Sequence, residues 1–383
     1  MLRRLARFEY HPPRERLPAP AYTILLAVVF VAALVAAYLF VRPINDDDWV
    51  RLAQFLRYML RLQNPYDLDL GMHDADLRAY GIEYGYVPYS PWIAFYFGIF
   101  AYATTRFAIA LLIATWITII LDDGYPQALL LILHPAFIML WASGNIEFFV
   151  SGVGLWLIWR GVRGWRRGVA LMLLAIKPYA LPLLLVLEGV RLLWERDWRA
   201  LATMAAIFLV AVALYPGWMT DVIPSFFNIA RSKSYAEANN LPAYPFSVFG
   251  AWGVLPALGV TLIILVLMRK RLSEFRTLAV LLSLVWTPFN HPYSYAVLLL
   301  LFRRSSWWRV LLYLGLGLAT LPFLFQEYHH LERYGVLVFL LLAALLSSPD
   351  PDQTEQAIAA RRHQPVFPPV RWLVPRGLPA VDR

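Results

Sequence analysis

Long apolar stretches separated by short polar or basic segments make up most of the chain. The first, 21–41, has 21 residues without a charge. At about 1.5 Å per residue, this length crosses the hydrocarbon core of a bilayer. It is too long for a signal-peptide core and has no small-residue cleavage site, so we expect a retained span. Comparable stretches recur to about residue 347. The pattern predicts an all-α polytopic membrane protein with about ten to twelve membrane helices.

The basic residues lie between the apolar stretches and predict the orientation of the chain. Five arginines precede the first stretch, and basic clusters recur at 160–167, 191–199, 269–276 and 303–309. Because basic loops stay on the cytoplasmic side, these clusters predict which loops face inward. We expect a cytoplasmic N-terminus at 1–20, a multi-span transmembrane domain at 21–347 with outside loops at 42–88 and 220–245, and a flexible cytoplasmic tail at 348–383.

Between residues 107 and 160 the charge pattern conflicts with three full crossings, since these would place the basic segment 160–167 outside. His134 and Pro135 interrupt one of the stretches, and broken helices are tolerated where they face a cavity or other protein. We therefore expect 128–141 to re-enter from outside without crossing. The apolar stretches 90–104 and 107–121 should both cross the membrane, with Arg106 in the tight cytoplasmic turn between them. A hairpin near Lys177 would resolve the same conflict for 168–190.

Three adjacent aspartates, Asp46–Asp48, open an amphipathic segment in the first outside loop. One face of a helix from Trp49 carries Arg51, Gln54, Arg57, Tyr58 and Arg61, and the other carries Trp49, Leu52, Ala53, Leu56, Met59 and Leu60. This spacing predicts an amphipathic helix that lies in the outer membrane interface. One aspartate suffices as a cap. Three exceed that need, which leaves a catalytic carboxylate or a solvated charge run as interpretations.

Composition narrows the possible functions. The net charge of +9 is distributed in loop clusters, which is typical of membrane topology and not of a nucleic-acid surface. Cysteine is absent, which excludes disulfides and thiolate chemistry. The aspartates and histidines have no convincing metal-ligand spacing, so we expect no metal.

The tyrosines before the second apolar stretch have two interpretations. Tyr86 and Tyr89 stand in the segment 81–98, which also carries Pro88 and Pro91. Such residues form the aromatic belt of many membrane proteins. They also suit a platform for a sugar or an isoprenoid chain, because tyrosine offers an apolar ring and a hydroxyl.

Four cationic or titratable residues are candidates for binding a phosphate. Lys177 lies within an apolar stretch, where a charge indicates a functional site unless the side chain snorkels to the headgroups. Arg231 and Lys233 lie in the later outside loop, where they either bind the phosphate of the sugar donor or are ordinary solvated charges. His291 precedes an apolar stretch. It is either a ligand of the phosphate or the acceptor, or a buried histidine whose hydrogen bonds are satisfied within the protein.

Several short motifs occur in a fixed order. Asp48 is followed by Tyr66 eighteen residues later, and 86–91 has the pattern Tyr-x-Pro-x-x-Pro. The later motifs are Gly144-Asn145, Lys177-Pro178-Tyr179, WERDWRA at 194–200, an asparagine-rich loop at 238–250 and WTPFNHPYSYAVLLLL at 286–301. Over about residues 40–320, the chain resembles the bacterial polyprenyl-phosphate-mannose-dependent mannosyltransferases of the glycosyltransferase C superfamily.

The resemblance implies an inverting glycosyltransferase in the cytoplasmic membrane, with its active site on the extracytoplasmic face and no cofactor. The resemblance implies a polyprenyl-phosphate sugar as the donor, with mannose as the first candidate, and a lipid or glycan as the acceptor. Asp48 would be the general base, with Asp47 as the alternative. Substrate binding would involve Tyr66, Tyr86, Tyr89, Asn145, Glu147 and Tyr179. Asp122 and Asp123 would form a second outside acidic site, or simply a loop turn.

Two other functions are compatible with the pattern. A lipid or sugar transporter or flippase would also have an intramembrane lysine and broken helices, but would more often show paired halves and acids within its spans. A structural subunit of a glycan-assembly complex would have a degenerate site. Product formation from a lipid-linked sugar separates the enzyme from both.

Overall fold

The computed structural model describes residues 19–42, 47–62, 89–142, 144–178, 180–215, 217, 254–272, 274–287, 292–320 and 332–347. Every regular element in these ranges is helical, as the sequence predicts. The α-helices are α1 (Ala19–Phe40), α2 (Asp47–Leu60), α3 (Ile93–Phe97), α4 (Thr105–Asp123), α5 (Pro135–Ala142), α6 (Gly154–Trp159), α7 (Trp165–Leu174), α8 (Pro182–Trp194), α9 (Trp198–Leu214), α10 (Val254–Leu267), α11 (Phe275–Trp286), α12 (Trp307–Ala319) and α13 (Glu332–Leu346). Segments of 3₁₀-helix span Gly98–Phe100, Pro126–Leu133 and Pro292–Phe302, and Phe148–Val153 is a π-helix.

Two of the described helices, Pro20–Phe40 and Thr105–Asp123, are long and apolar enough to cross a membrane. They pack differently, since 6% of the apolar window of α1 is buried inside the protein and 61% of that of α4. α1 therefore lies at the periphery with apolar side chains outward, whereas α4 belongs to the core of the helical bundle.

The helices α1 and α4 are antiparallel, and their contacts define two ends of the molecule. The Tyr22 hydroxyl, near the start of α1, donates a hydrogen bond to Asp122 near the end of α4. Arg106, near the start of α4, donates to the carbonyl oxygens of Leu39 at 2.6 Å and Val41 at 3.2 Å. We call these the Asp122 end and the Arg106 end.

The basic clusters gather at the Asp122 end. Arg160 forms an ion pair with Asp122, and Arg303 contacts Asp123 at 3.2 Å. Glu188 in α8 joins the clusters 160–167 and 269–276, since it contacts Arg167 at 2.9 Å and Arg276 at 2.6 Å. Clusters that are far apart in sequence therefore share one end, as expected if they share one side of a membrane.

The exposed tryptophans of the described residues also lie at the Asp122 end. They stand at or next to the ends of α7, α8, α9 and α12, and are Trp165, Trp194, Trp198, Trp307 and Trp308. The guanidinium of Arg166 lies 5.4 Å from the Trp165 ring, and that of Arg309 lies 5.3 Å from the Trp308 ring. Exposed tryptophans interleaved with arginines are typical of a membrane–water interface.

The Arg106 end is covered by the amphipathic helix α2. Its apolar face is buried as predicted, with Trp49, Leu52, Leu56 and Met59 almost inaccessible, whereas Leu60 is exposed. The Trp49 indole donates to Ala103 O at 2.9 Å, and Arg57 donates to Ala101 O at 2.8 Å.

The segment 89–103 enters and leaves the molecule at the same end, which corrects the expected chain path. Tyr89 packs against Phe55 of α2, with ring centroids 6.2 Å apart, and Ala101 and Ala103 bond to the same helix. This stretch therefore does not traverse the bundle, and α4 runs from the Arg106 end to the Asp122 end. Arg106 lies at the end opposite to the basic clusters, not in the turn expected beside them.

The expectation that 128–141 re-enters without crossing is wrong. The segment begins at the Asp122 end, where the Tyr125 N–H donates to Arg303 O at 2.6 Å. It finishes at the Arg106 end, where Gly144 packs against Thr105 and Trp49. His134 interrupts the helix, but the chain continues across the bundle. The hairpin expected near Lys177 is present, because α8 returns Glu188 to Arg167 at the start of α7.

Candidate functional site

A buried ion pair lies between two chain segments on the α2 side of the bundle. The Lys177 Nζ, just after α7, lies 3.1 Å from the Glu147 Oε2, just before the π-helix. Lys177 is 3% exposed and Glu147 is 5% exposed. Two charges so deeply buried are stable only as a pair, because removal of one leaves the other without compensation.

Tyr89 covers the lysine and links it to α2. The ammonium lies 5.0 Å from the centroid of the Tyr89 ring, within the range of a cation–π interaction. The same ring also packs against Phe55 of α2. Two of the residues expected in the substrate site, Tyr89 and Lys177, are therefore neighbours, although 88 positions separate them in the sequence.

Hydrogen bonds to α7 hold Tyr89 in this place. The Ser90 N–H donates to Ile176 O at 3.0 Å, and its hydroxyl donates to Ala175 O at 3.0 Å. The Trp92 indole donates to Met172 O at 2.9 Å. Side chains of 89–97 thus bind carbonyls in the last turns of α7, immediately before Lys177. Serine and tryptophan were not candidates from the sequence, which gave no sign of these long-range partners.

The turn Gly144-Asn145 joins the ion pair to the start of α2. Gly144 has φ of 65°, a left-handed conformation that glycine adopts without strain. A Cβ at this position would lie 2.8 Å from the Thr105 Cγ2 and 3.1 Å from the Trp49 Cβ. The absence of a side chain therefore lets α2 approach the turn closely.

Asn145 orients the backbone of Glu147. Its Oδ1 accepts a hydrogen bond from the Glu147 N–H at 2.8 Å, and its own N–H donates to Leu140 O at 3.0 Å. The amide is buried and has a positioning role in this structure. Substrate contact, which the resemblance implies for Asn145, stays a prediction.

The π-helix that follows Glu147 is anchored by aromatic packing. The Phe148 ring lies 5.5 Å from Trp116 and 5.7 Å from Phe137, and it packs directly over Gly152. Helical turns of this type are rare in proteins as a whole, and those that occur are often found at functional sites. Here the wide turn begins at the residue after the buried carboxylate.

Asp47 and Asp48 are the first two residues of α2. Their side chains lie outside the described part of the structure. The next residue, Trp49, packs against Gly144, so the start of α2 is beside the turn that leads to Glu147. The proposed base is therefore carried on a backbone that adjoins the ion pair.

Asp122 and Asp123 do not belong to this site. Asp122 pairs with Arg160, and Asp123 contacts Arg303 at 3.2 Å and Arg304 at 2.5 Å. They end a helix of 19 residues whose start touches α2, so about 27 Å of helix separates them from the Arg106 end. The expectation of a second acidic site on the same side as Asp48 is wrong, because both carboxylates are neutralised by arginines at the opposite end.

The remaining candidates lie outside the described residues. They are Tyr66, Tyr86, Tyr179, Arg231, Lys233 and His291, together with the outside loop 220–245 and the tail 348–383. Among the described residues, no group of three or more histidine, cysteine or acidic side chains could hold a metal ion.

The pairing of Glu147 with Lys177 was not part of the sequence prediction, although both residues were candidates. Each is a lone charge in an apolar stretch, which is the one signal that could have suggested the pair. Comparison of the chain with family models, with curated proteins and with solved structures gives no match. Over the described residues, the class that the structure itself defines is an all-helical protein with two helices of membrane-spanning length and a buried Lys–Glu site beneath an amphipathic helix.

Proposed function

We propose that the protein is a multi-pass membrane glycosyltransferase. It transfers a sugar, with mannose as the first candidate, from a polyprenyl-phosphate donor to an extracytoplasmic lipid or glycan acceptor. The observation that carries the proposal is the convergence of Tyr89, Asn145, Glu147 and Lys177 beside the start of α2. These residues come from three separate segments, and each was a candidate substrate ligand from the sequence.

Two features of the Asp122 end support a membrane setting. The arginine clusters and the exposed tryptophans both lie there, and this combination suits the cytoplasmic interface. The opposite end, with α2, then faces outward. An amphipathic helix with a buried apolar face and exposed polar positions suits the depth at which an isoprenoid anchor holds its phosphate.

The reaction needs one base and one phosphate site. The acceptor oxygen attacks the anomeric carbon from the side opposite to the phosphate, and the bond from that carbon to the phosphate oxygen breaks. The acceptor proton goes to Asp48, and the bonding electrons leave with the phosphate. Lys177 stabilises the phosphate charge through charge-assisted hydrogen bonds. Because phosphate is already a good leaving group, a single carboxylate suffices, unlike the pair of a glycosidase.

The test is donor consumption by purified protein in detergent. Polyprenyl-phosphate-mannose, -glucose and -arabinose are supplied separately with a membrane-lipid acceptor extract, and both the donor and the product are followed by mass spectrometry. We expect loss of one donor together with a glycosylated product. Folded protein that consumes none of the donors, yet moves one across the bilayer of a reconstituted vesicle, would make it a transporter and refute the proposal.

A further inference from the structure

The proposed phosphate site contains a negatively charged side chain as well as a positively charged one. The Glu147 carboxylate contacts the Lys177 ammonium at 3.1 Å, and both side chains are buried. Buried charges are screened far less than surface charges, so a ligand phosphate placed at Lys177 also interacts with Glu147. The carboxylate that compensates the buried lysine therefore also acts on a bound phosphate.

The backbone that carries Glu147 is held in place. Its N–H is held by Asn145 Oδ1 at 2.8 Å, and the π-helix that it precedes is anchored by Phe148 against Trp116. The backbone of Lys177 is held as well, because its carbonyl accepts from the Ala180 N–H at 2.9 Å and the preceding Ile176 carbonyl accepts from the Ser90 N–H. The backbone segments that carry the two charges are thus held in place before binding.

The proposed reaction changes the charge of the lipid phosphate. The donor is a phosphodiester, which carries one negative charge. When its bond to the sugar breaks, the electron pair stays on the phosphate oxygen and leaves a phosphomonoester. The second ionisation of such a monoester has a pKa of about 6, so at neutral pH the product carries nearly two negative charges. A lysine alone would bind this dianion more tightly than the donor, and the product would block the site.

We infer that Glu147 determines the charge selectivity of the site, admitting a phosphodiester monoanion and expelling the phosphomonoester dianion. This inference rests on the proposed function and deepens it. The carboxylate repels each added negative charge, so it disfavours the dianion more than the monoanion. With an effective dielectric constant near 20, one further charge at a separation of about 6–12 Å changes affinity by about ten- to hundredfold.

The repulsion acts only partly on the transition state, in which the phosphate charge is incompletely developed. Glu147 therefore slows the chemical step less than it speeds the loss of product. In the Glu147→Gln variant, we expect a first turnover at least as fast as in the wild type, followed by a slower steady state. A burst of product in rapid-quench experiments is the signature, and we expect no burst in the wild type.

A binding experiment separates this role from turnover. Wild-type protein and the Glu147→Gln and Glu147→Asp variants are titrated with a short-chain prenyl phosphate and with its methyl ester, at about pH 8, where the monoester is a dianion. We expect the wild type and Glu147→Asp to prefer the methyl ester. We expect Glu147→Gln to prefer the monoester, with a change in the affinity ratio of about ten- to hundredfold.

Each outcome has a distinct meaning. If the ratio of the affinities for the two ligands is the same in the wild type and in Glu147→Gln, the inference is wrong. The proposed function is then tested by the donor-consumption assay alone. If the folded wild type binds neither lipid phosphate, both the inference about Glu147 and the proposed function are wrong. Should Glu147→Gln fail to fold, the double change Glu147→Gln with Lys177→Gln removes both buried charges. It should bind both ligands weakly with a ratio near one, and retention of the wild-type preference for the ester would overturn the inference.

Discussion

The two ends of the molecule both bury charged side chains, but in different ways. At the Asp122 end, Glu188 is contacted by three guanidinium groups, from Arg167, Arg191 and Arg276. At the other end of the hairpin formed by α7 and α8, the Lys177 ammonium pairs with the Glu147 carboxylate. Arginine forms planar, multidentate networks, whereas lysine is a compact charge on a flexible stem. The arginine network suits a structural role that holds helices together. The lysine–glutamate pair suits a site where a ligand can replace the carboxylate as the partner of the lysine.

The ionisation of the arginine network agrees with a structural role. Partial burial raises the pKa of Glu195, but the charges of Arg167 and Arg191 outweigh burial and hold this pKa below its ordinary value. Glu195 is therefore ionised at neutral pH and pairs with Arg167 at 2.5 Å. Since its folded-state pKa is depressed, its stabilising contribution is present above the unfolded pKa and is lost as the pH falls through the folded value.

The largest expected difference between the ends is in turnover. Asp48→Asn removes the proposed base with little change in size, so donor turnover should fall by about 10²–10⁴-fold with donor affinity kept. Asp122→Asn, at the opposite end, should leave turnover per folded molecule unchanged. Donor consumption and donor binding are measured on the same preparations. If Asp47→Asn is inactive and Asp48→Asn active, the base is the neighbouring residue.

The second difference is in stability. Glu188→Gln leaves buried guanidinium groups short of a counter-charge, and we expect a loss of about 3–5 kcal/mol, with unchanged turnover in the molecules that remain folded. Glu195→Gln, which affects a half-exposed partner of the same Arg167, should be milder. Thermal unfolding in detergent checks both. Equal effects of the two variants would contradict the structural lock.

The third difference concerns the lysine. Lys177→Ala should weaken donor binding by about ten- to hundredfold, because a charge-assisted contact to the phosphate is lost. Lys177→Arg should restore binding poorly, since the planar guanidinium does not replace a compact ammonium. Lys270→Ala removes an exposed lysine at the Asp122 end and is the matched control. Unchanged donor affinity in Lys177→Ala would leave the ion pair with a structural role only.

The fourth comparison tests the seat of α2. Gly144→Ala places a methyl group against Thr105 and Trp49 in a left-handed backbone, and we expect a cost of about 1–3 kcal/mol. Because the displaced helix carries Asp48, turnover should also fall. The control is Gly189→Ala in α8, where a Cβ meets nothing within 4 Å. Normal stability and turnover in Gly144→Ala would show that α2 does not depend on this contact.

The last comparison asks which end of the molecule faces which side of the membrane. The cysteine substitutions that it uses should leave function intact. The chain has no cysteine, and Gln54, Tyr102 and Arg163 are exposed. Single cysteines at 54 and 102 should react with an impermeant maleimide on intact cells, and one at 163 only after permeabilisation. The charge pattern alone placed the turn near Tyr102 inside, so protection of 102 would restore that topology and contradict the chain path in the structure.

Periodic patterns within one segment were predictable. The buried face of α2 follows from the spacing of Trp49, Leu52, Leu56 and Met59, and the hairpin at Lys177 follows from the basic segments on both sides of it. Phe55 was missed, since its burial depends on Tyr89 from a distant segment. The number of crossings between 89 and 142 was also predicted incorrectly, because hydropathy indicates that a stretch is buried but not whether it turns back.

The sequence by itself determined the helical class, the amphipathic helix and the grouping of the basic clusters. Each of these depends on spacing within a segment or on charge relative to apolar stretches, which act locally. Only the tertiary structure decided that Lys177 pairs with Glu147 under Tyr89, and that Asp122 and Asp123 bind arginines at the other end. Such partners are chosen by long-range packing: a buried charge requires a counter-charge, but it can take one from any segment that the fold brings within a few ångströms.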